Sequence, residues 1–170
     1  MTALDEHAHP DQAGAADTAA DTGLGPLRKE IEVACAPDRA FEVFTRMCGE
    51  WWPLSSHSVY GEDAAGVSFG SGVGGEIIET SATGEACSWG TITTWEPGHR
   101  LAFDWHPGMP LTQTTRVEVT FTPTAAGTLV ELVHSGWEHR DQPASRRAGY
   151  DVGWIPVMIR YAALGSGIAL

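Results

Sequence analysis

Five successive segments in the second half of the chain have the composition of β-strands, and this pattern most limits how the chain can fold. The segments are 75–82, 85–95, 100–106, 114–122 and 128–137. The connectors 82–84, 97–99 and 125–127 are short and consist of turn-forming residues, whereas the connector 107–110 is looser. Strands joined by such short connectors pair antiparallel, so we expect these segments to form a meander.

A further strand and a helix precede the meander. Residues 27–34 alternate, with Leu27, Ile31 and Val33 on one face and glutamates on the other, which is the period of a half-buried strand. Pro37 follows where a helix can begin, and apolar residues then recur at helical spacing as far as about Gly49. The chain therefore begins its fold with a strand and a helix.

The segment between this helix and the meander is harder to interpret. Residues 50–53 are expected to form a short helix or turn that carries two adjacent tryptophans. Residues 54–72 are rich in Ser and Gly and too long for a simple turn. They form either a functional loop, which makes them the best lid candidate, or a loop with a short strand around 67–69.

The last element is a helix from about Ser145 to about Leu164. One stripe of it contains Tyr150, Trp154, Met158 and Tyr161. Further apolar residues widen this stripe to most of the circumference, so we expect the helix to be covered on more than one side; they are Val152, Ile155, Val157, Ile159 and Leu164.

Composition indicates one domain with an acidic tail. The chain has 170 residues, of which 42% are hydrophobic, enough for one sizeable core. Residues 1–26 hold several acidic residues, no Lys or Arg and almost no large apolar side chains, so we expect a disordered acidic tail followed by a domain over 27–170. The formal charge of −12 makes nucleic acid and anionic membranes improbable partners.

The cysteines and the N-terminus suggest a cytoplasmic protein without a metal or cofactor. Cys35, Cys48 and Cys87 are odd in number and lack Cys-x-x-Cys spacing, so reduced thiols are expected. His7 and His9 on the tail are too few for a metal site. The chain has neither a signal-peptide pattern nor an apolar run of the roughly 20 residues that span a bilayer.

Taken together, the motifs resemble the SRPBCC superfamily, whose members have the START and Bet v1-like helix-grip fold. Within it the chain is similar to the branch known as activator of Hsp90 ATPase homologue 1-like. The resemblance covers about Leu27 to Leu164 and depends on these motifs: Val33 to Phe44, Trp51-Trp52-Pro53 with His57-Ser58-Val59, Gly74-Gly75, Trp89-Gly90 through Glu96-Pro97, Arg100-Leu101 to Trp105, Gly127-Thr128 to Trp137, and Gly153-Trp154.

This resemblance implies an α+β helix-grip fold, in which a curved antiparallel sheet of about seven strands surrounds the long C-terminal helix. It also implies a cavity between sheet and helix, which superfamily members use for lipids, sterols, polyketides and other apolar molecules. It transfers no catalytic residue, because members differ in activity. It does not imply chaperone activation, since much of the chaperone contact of the eukaryotic co-chaperone belongs to a separate N-terminal domain.

Tryptophans are the first candidates for the ligand pocket, because their large rings line a pocket as readily as they fill a core. Trp52, Trp105 and Trp154 lie after the first helix, at the end of a strand and on the last helix, with plain core packing as the alternative for each. The complete set of expected pocket residues is Trp52, His57, Tyr60, Glu79, Trp89, Trp105, His134, Trp154 and Met158.

Two titratable residues are expected on strands. His134 shares a face with Val130 and Leu132, so it should point inward, either as a hydrogen-bonded core residue or as a group that orients a ligand or carries a proton. Glu79 shares a face with Ile77, and lies in the pocket if that face is inward or in solvent if it is outward.

His57 lies in a Ser-rich loop and is expected at the cavity mouth beside Ser56, Ser58 and Tyr60. A Ser-His hydrolase is disfavoured because the serines lack a Gly-x-Ser-x-Gly elbow. The glycine-rich run 70–75 resembles a phosphate loop, but a strand follows it where a dinucleotide site requires a helix. These glycines are better explained by a tight turn or a bulge.

Three functions remain open from the sequence. The first is binding of a small, largely apolar molecule in the internal cavity, without assured catalysis. The second is a protein interaction or co-chaperone-like module, in which Val157 and the end 168–170 contribute to a homodimer interface. The third is a cyclase- or hydrolase-like enzyme in which His134 or Glu79 moves a proton in the same cavity.

Overall fold

The computed structural model describes residues 24–170, and most of the expected acidic tail lies outside them. Of the three tail residues that are described, Leu24 packs against the hydrophobic core. The backbone carbonyl oxygens of Gly25 and Pro26 accept hydrogen bonds from the guanidinium of Arg147, at 2.7 and 3.4 Å. The chain therefore enters the domain beside the last helix.

Within the described residues seven strands form one antiparallel sheet; the sequence predicted six of them to within a few residues and gave the seventh, β2, as one of two alternatives. They are β1 Leu27–Val33, β2 Ala64–Phe69, β3 Glu76–Ser81, β4 Ala86–Glu96, β5 Arg100–Trp105, β6 Thr115–Pro123 and β7 Thr128–Ser135. Their order across the sheet is β1-β7-β6-β5-β4-β3-β2. The expected meander is confirmed, because every strand from β2 to β7 pairs with its neighbour in sequence.

In the part of the chain that the structure describes, three α-helices complete the fold: α1 Pro37–Thr45, α2 Cys48–Trp51 and α3 Pro143–Gly165. The helix predicted to run to about Gly49 ends at Thr45, and the short helix α2 follows it directly. Segment 54–72 contains the strand β2, so the alternative with a short strand is confirmed and only residues 54–63 and 70–72 lie outside strands. The last helix is continuous through Pro156.

Gly90 lies in the middle of strand β4, where the close approach of another strand excludes a side chain. A Cβ atom added at Gly90 would lie 1.7 Å from the carbonyl oxygen of Asp104 on β5. The pairing of β4 shifts register on both sides of this point, against β3 and against β5. Glycine is therefore required where the curled sheet brings two backbones together.

The core lies between the curled sheet and the inner face of α3, which confirms the helix-grip fold. The buried residues of α3 are Trp154, Val157, Met158, Tyr161 and Ala162. Tyr161 donates a hydrogen bond to the carbonyl oxygen of Ala40 on α1 at 3.0 Å. Arg160 donates to the carbonyl oxygen of Trp51 at 2.8 Å. Helices α1 and α2 therefore close one end of the groove that holds α3.

Two expectations about α3 are wrong. Val152, Ile155 and Ile159 are 68%, 49% and 56% exposed, so the helix is covered on one side only. Val157, expected on a dimer surface, is buried. The reason is geometric: the sheet, α1 and α2 all lie on the side of α3 that carries Trp154 and Tyr161.

Within residues 24–170 no helix is both long and apolar enough to cross a bilayer.

Candidate ligand-binding cleft

A cleft of about 750 Å³ opens between α3, the loop that follows α2 and the ends of β4 and β5. This volume is in the range of small-molecule sites. The lining residues come from four separate parts of the chain: Trp52, His57, Ser58, Val59, Trp89, Trp105, Pro107, Gly108, Gln142, Ser145, Arg146, Gly149, Tyr150, Gly153, Trp154 and Val157.

Four tryptophans form a contiguous wall of the cleft. The ring of Trp52 lies 5.2 Å from Trp89, 5.9 Å from Trp105 and 6.0 Å from Trp154, measured between centroids. Trp105 also contacts Trp89 and Trp154, at 5.5 and 6.1 Å. These spacings are typical of interacting aromatic pairs, and all four side chains are buried. We call Trp52, Trp89, Trp105 and Trp154 the tryptophan wall.

Every indole N–H of the tryptophan wall donates to a protein acceptor. Trp52 donates to the carbonyl oxygen of His57 at 2.6 Å, and Trp89 to the carboxylate of Glu79 at 2.8 Å. Trp154 donates to Nδ1 of His134 at 3.1 Å. Trp105 donates to the hydroxyl oxygen of Tyr150, also at 3.1 Å. The wall therefore offers a ligand ring faces and C–H edges, and no free indole donor.

His134 is held by hydrogen bonds on both ring nitrogens. Its Nδ1 accepts from Trp154, because an indole nitrogen only donates. In the neutral ring the proton is then on Nε2, which donates to the hydroxyl of Thr115 at 2.8 Å. Thr115 in turn donates to the carbonyl oxygen of Trp105 at 3.0 Å. The imidazole therefore links β6, β7 and α3 as a neutral hydrogen-bonding unit.

The electrostatic environment keeps His134 neutral. Burial, and secondly the positive charge of Arg140, lower the pKa of His134 from 6.5 to about 3. Nη2 of Arg140 donates to the carbonyl oxygen of Trp105 at 3.1 Å. A group with this pKa does not exchange a proton near neutral pH, so the core alternative describes His134 better than the proton carrier.

Glu79 is fully buried and accepts three hydrogen bonds. Its Oε2 accepts from the backbone N–H of Val59 and from Nε1 of Trp89, both at 2.8 Å. Its Oε1 accepts from the backbone N–H of Tyr60 at 2.9 Å. The carboxylate thus fastens the loop that carries His57 to strand β3 and to the tryptophan wall.

His57 lies at the mouth of the cleft. Its Nδ1 is 2.8 Å from the hydroxyl of Ser56, and its Nε2 lies 3.8 Å from a Cβ atom built on Gly153. In a Ser-His hydrolase the far nitrogen of the imidazole would bind a carboxylate, and in this chain it faces α3 instead. At 3.8 Å a Cβ atom on residue 153 would make ordinary van der Waals contact with the imidazole, so His57 packs closely against α3 at this point.

The structure brings five of the nine expected pocket residues to the cleft: Trp52, His57, Trp89, Trp105 and Trp154. The other four do not line it. Glu79 and His134 lie behind the tryptophan wall and hydrogen-bond to it, whereas Tyr60 is in the loop that Glu79 holds and Met158 is buried one turn beyond Trp154. Among residues 24–170 no group of three or more potential metal ligands occurs.

Sequence reasoning missed Tyr150 and the first turn of α3. Tyr150 was assigned to the apolar stripe of the helix, and its position one turn before Trp154 was the available signal. Gln142, Ser145 and Arg146 line the cleft although they carry no motif. They lie immediately before α3 and in its first turn, on the side that faces the cleft.

The fold and the cleft define the class of protein: a helix-grip domain of the SRPBCC superfamily. The sequence model of the family described as activator of Hsp90 ATPase homolog 1-like protein matches residues 34–155. The chain therefore belongs to the activator of Hsp90 ATPase homologue 1-like family. A search of curated proteins found no match.

Solved structures share the fold of this chain. Protein MLL2253 from Mesorhizobium loti is 18% identical with a TM-score of 0.63, and the match covers 86% of this chain and all of the other. The Aha1 dimer from Colwellia psychrerythraea is 16% identical with a TM-score of 0.60, covering 84% and 96% of the two chains. An anthrahydroquino-gamma-pyrone synthase, Txn09, is 31% identical with a TM-score of 0.59, covering 82% and 96%.

Proposed function

We propose that the protein binds a small, planar and largely apolar aromatic molecule in the cleft. The observation that carries this proposal is the tryptophan wall: four buried indoles line one side of a cleft of about 750 Å³. Aromatic rings favour stacked or edge-to-face partners, so a flat ring system complements such a wall. The satisfied indole nitrogens support an apolar guest, because a ligand that contacts the wall leaves no donor unpaired.

The wall is also preorganised. The four rings are held by hydrogen bonds to four different parts of the fold: the loop after α2, β3, α3 and β7. These bonds limit the side-chain ordering that binding would require. Glu79 adds to this by fixing the backbone of Val59 and Tyr60 next to Trp52. A rigid wall beside an open cleft is an arrangement suited to ligand binding.

A blocked-cleft variant tests the proposal. Gly149 lines the cleft and nothing lies within 4 Å of a Cβ atom built on it, so Gly149→Leu places a side chain in the open space. The neighbouring Ala148 is exposed and does not line the cleft, which makes Ala148→Leu the matched control. Tryptophan fluorescence and thermal shift measure the binding of a panel of planar aromatic compounds. Binding should weaken in Gly149→Leu and stay unchanged in Ala148→Leu. Binding unaffected by both variants would contradict the proposal.

A catalytic role is the second candidate, and the relative Txn09 favours it. That protein is described as a synthase and is 31% identical to this chain over most of both sequences. His134 and Glu79 are both engaged in hydrogen bonds behind the tryptophan wall, so a proton-moving group would instead be His57 at the mouth. Once a ligand is known, mass spectrometry should show its conversion by the wild type. His57→Gln should then bind the ligand but not convert it; equal turnover by both would exclude this role.

The outer face of α3, which does not line the cleft, is the observation that favours a homodimer. Val152, Ile155 and Ile159 are exposed at spacings of three and four residues on α3, and together form an outer apolar stripe on the helix. A second copy would bury this stripe. Sedimentation velocity across a concentration series should show a dimer that Ile155→Glu dissociates, whereas Val73→Glu in the exposed loop between β2 and β3 should not. A wild-type monomer at all concentrations would exclude this interface.

A further inference from the structure

The hydroxyl of Tyr150 has a hydrogen-bonding capacity that the protein leaves unused. Its oxygen accepts a hydrogen bond from Nε1 of Trp105 at 3.1 Å. A phenol can also donate one hydrogen bond, and within residues 24–170 the hydroxyl of Tyr150 donates none. Tyr150 lines the cleft, so this proton faces either solvent or a bound molecule.

The ring of Tyr150 is held in a fixed position. The imidazole of His134 meets it edge to face at 4.8 Å, and the ring of Trp137 lies 5.5 Å away. The guanidinium carbon of Arg140 lies 5.9 Å from its centroid, at cation–π distance. Contacts from β7 and from the turn between β7 and α3 therefore fix the direction in which the hydroxyl points.

The hydrogen bond from Trp105 strengthens the hydroxyl as a donor. When a phenol oxygen accepts a hydrogen bond, the O–H becomes more polarised and donates more strongly. Trp105 is itself a member of the tryptophan wall and is buried. A ring stacked on the wall therefore lies beside a donor of defined position.

The other polar groups of the cleft are less specific. All four indole nitrogens are taken by protein acceptors. Gln142, Ser145 and Arg146 are exposed at the mouth, and Nε2 of His57 is a donor or an acceptor according to its tautomer. Among the described residues that line the cleft, Tyr150 alone combines a fixed position next to the tryptophan wall with a proton that it donates to no other described residue.

We propose that the Tyr150 hydroxyl donates a hydrogen bond to a carbonyl oxygen of the bound aromatic molecule, so that the cleft selects planar aromatic ketones or quinones over plain aromatic hydrocarbons. This inference rests on the proposed binding function and narrows it to one ligand class. Selectivity follows because a ring system without a carbonyl group leaves the phenol proton unpaired in a partly desolvated site.

A pair of probes separates the carbonyl from the ring system. Anthraquinone-2-sulfonate and anthracene-2-sulfonate share the three-ring frame and the sulfonate, so any contribution of Arg146 to binding the anion cancels. Titration calorimetry with the wild type should show tighter binding of the quinone by about tenfold. In Tyr150→Phe the quinone should lose this advantage over the anthracene compound.

Controls make each outcome informative. Tyr60→Phe removes a phenol from a tyrosine outside the cleft and should leave both affinities unchanged. The thermal midpoint of each variant is measured first, and the wild-type comparison of the two probes needs no variant at all. If the wild type binds both probes equally, the carbonyl inference is wrong while the proposed function stands. If it binds neither probe, both are overturned.

Discussion

The imidazole Nδ1 of His134 accepts a hydrogen bond from the indole nitrogen of Trp154 at 3.1 Å, which joins the last strand to the gripped helix behind the cleft. The bond requires an unprotonated Nδ1, since two donors cannot pair. The other nitrogen is satisfied by Thr115, so protonating His134 in the folded protein would break the link to Trp154. The orientation of one cleft-lining tryptophan thus depends on the charge state of a residue outside the cleft.

This link makes stability depend on pH with a defined sign. Burial and Arg140 lower the pKa of His134 from 6.5 to about 3 in the folded state, so the unfolded chain takes up a proton at a higher pH than the folded protein. The stabilisation from neutral His134 is present above about pH 6.5 and is lost as the pH falls towards 3. Each pH unit in this window should remove up to about 1.4 kcal/mol of unfolding free energy.

The comparison of wild type with His134→Gln isolates this effect. Glutamine presents an acceptor and a donor but does not titrate, so the variant is expected to be less stable at pH 7 and to have a shallower pH dependence between 6 and 4. Urea unfolding at a series of pH values measures both slopes. Equal slopes in the two proteins would mean that His134 titrates alike in the folded and unfolded states.

Local sequence pattern predicted the face of His134 but not its partners. Alternation with Val130 and Leu132 placed the imidazole inward, as the structure has it. Thr115 and Trp154 become its neighbours only through the register of β6 against β7 and the rotation of α3. Contacts of this kind depend on tertiary packing, which no local period encodes.

The same distinction explains the errors on α3. Apolar residues occur around most of the helix, so their positions in the sequence do not distinguish the inner Val157 from the outer Val152 and Ile155. The sequence leaves open, for a related reason, whether the side chain of Glu79 points inward or into solvent. Its three donors lie ten, nineteen and twenty residues away in sequence, so only the folded chain shows that its face is inward and fully paired.

Replacing Glu79 by glutamine should release the loop at the mouth of the cleft. The buried carboxylate accepts three N–H groups, and an amide in its place turns an NH₂ group towards at least one of these donors. We expect a loss of about 3 kcal/mol in unfolding free energy. Hydrogen exchange of Val59 and Tyr60 should also become faster, as followed by mass spectrometry.

Glu76→Gln is the control for this change. Glu76 begins the same strand and is exposed, so its substitution should alter stability by less than about 0.5 kcal/mol. If Glu79→Gln behaved like the control, the three hydrogen bonds would not hold the loop.

Thiol modification should distinguish Cys48 from the other two cysteines. Cys48 is fully buried on α2, and burial raises the pKa of its thiol far above the usual range. Cys35 and Cys87 are partly exposed. A chromogenic disulfide reagent should therefore modify two thiols of the native protein and the third only on unfolding. Rapid reaction of all three in the absence of denaturant would show that α2 opens locally.

Two glycines should respond in opposite ways to the same substitution. A Cβ atom at Gly90 would lie 1.7 Å from the carbonyl oxygen of Asp104 and 2.7 Å from its carbonyl carbon, so Gly90→Ala must push β4 and β5 apart. Because both neighbours are backbone atoms, no side chain can move to relieve the contact. We expect a loss of at least about 3 kcal/mol, or failure to fold.

Gly149→Ala is the matched substitution on α3, where nothing lies within 4 Å of the added carbon. Alanine in a helix is favoured over glycine, so this variant should be more stable by about 0.5–1 kcal/mol. Chemical unfolding measures both variants, and a soluble Gly90→Ala protein of wild-type stability would mean that β4 and β5 do not approach as closely as the structure has them. The sign of the change therefore depends on whether the glycine meets a neighbouring backbone, as Gly90 does, or open space beside the cleft, as Gly149 does.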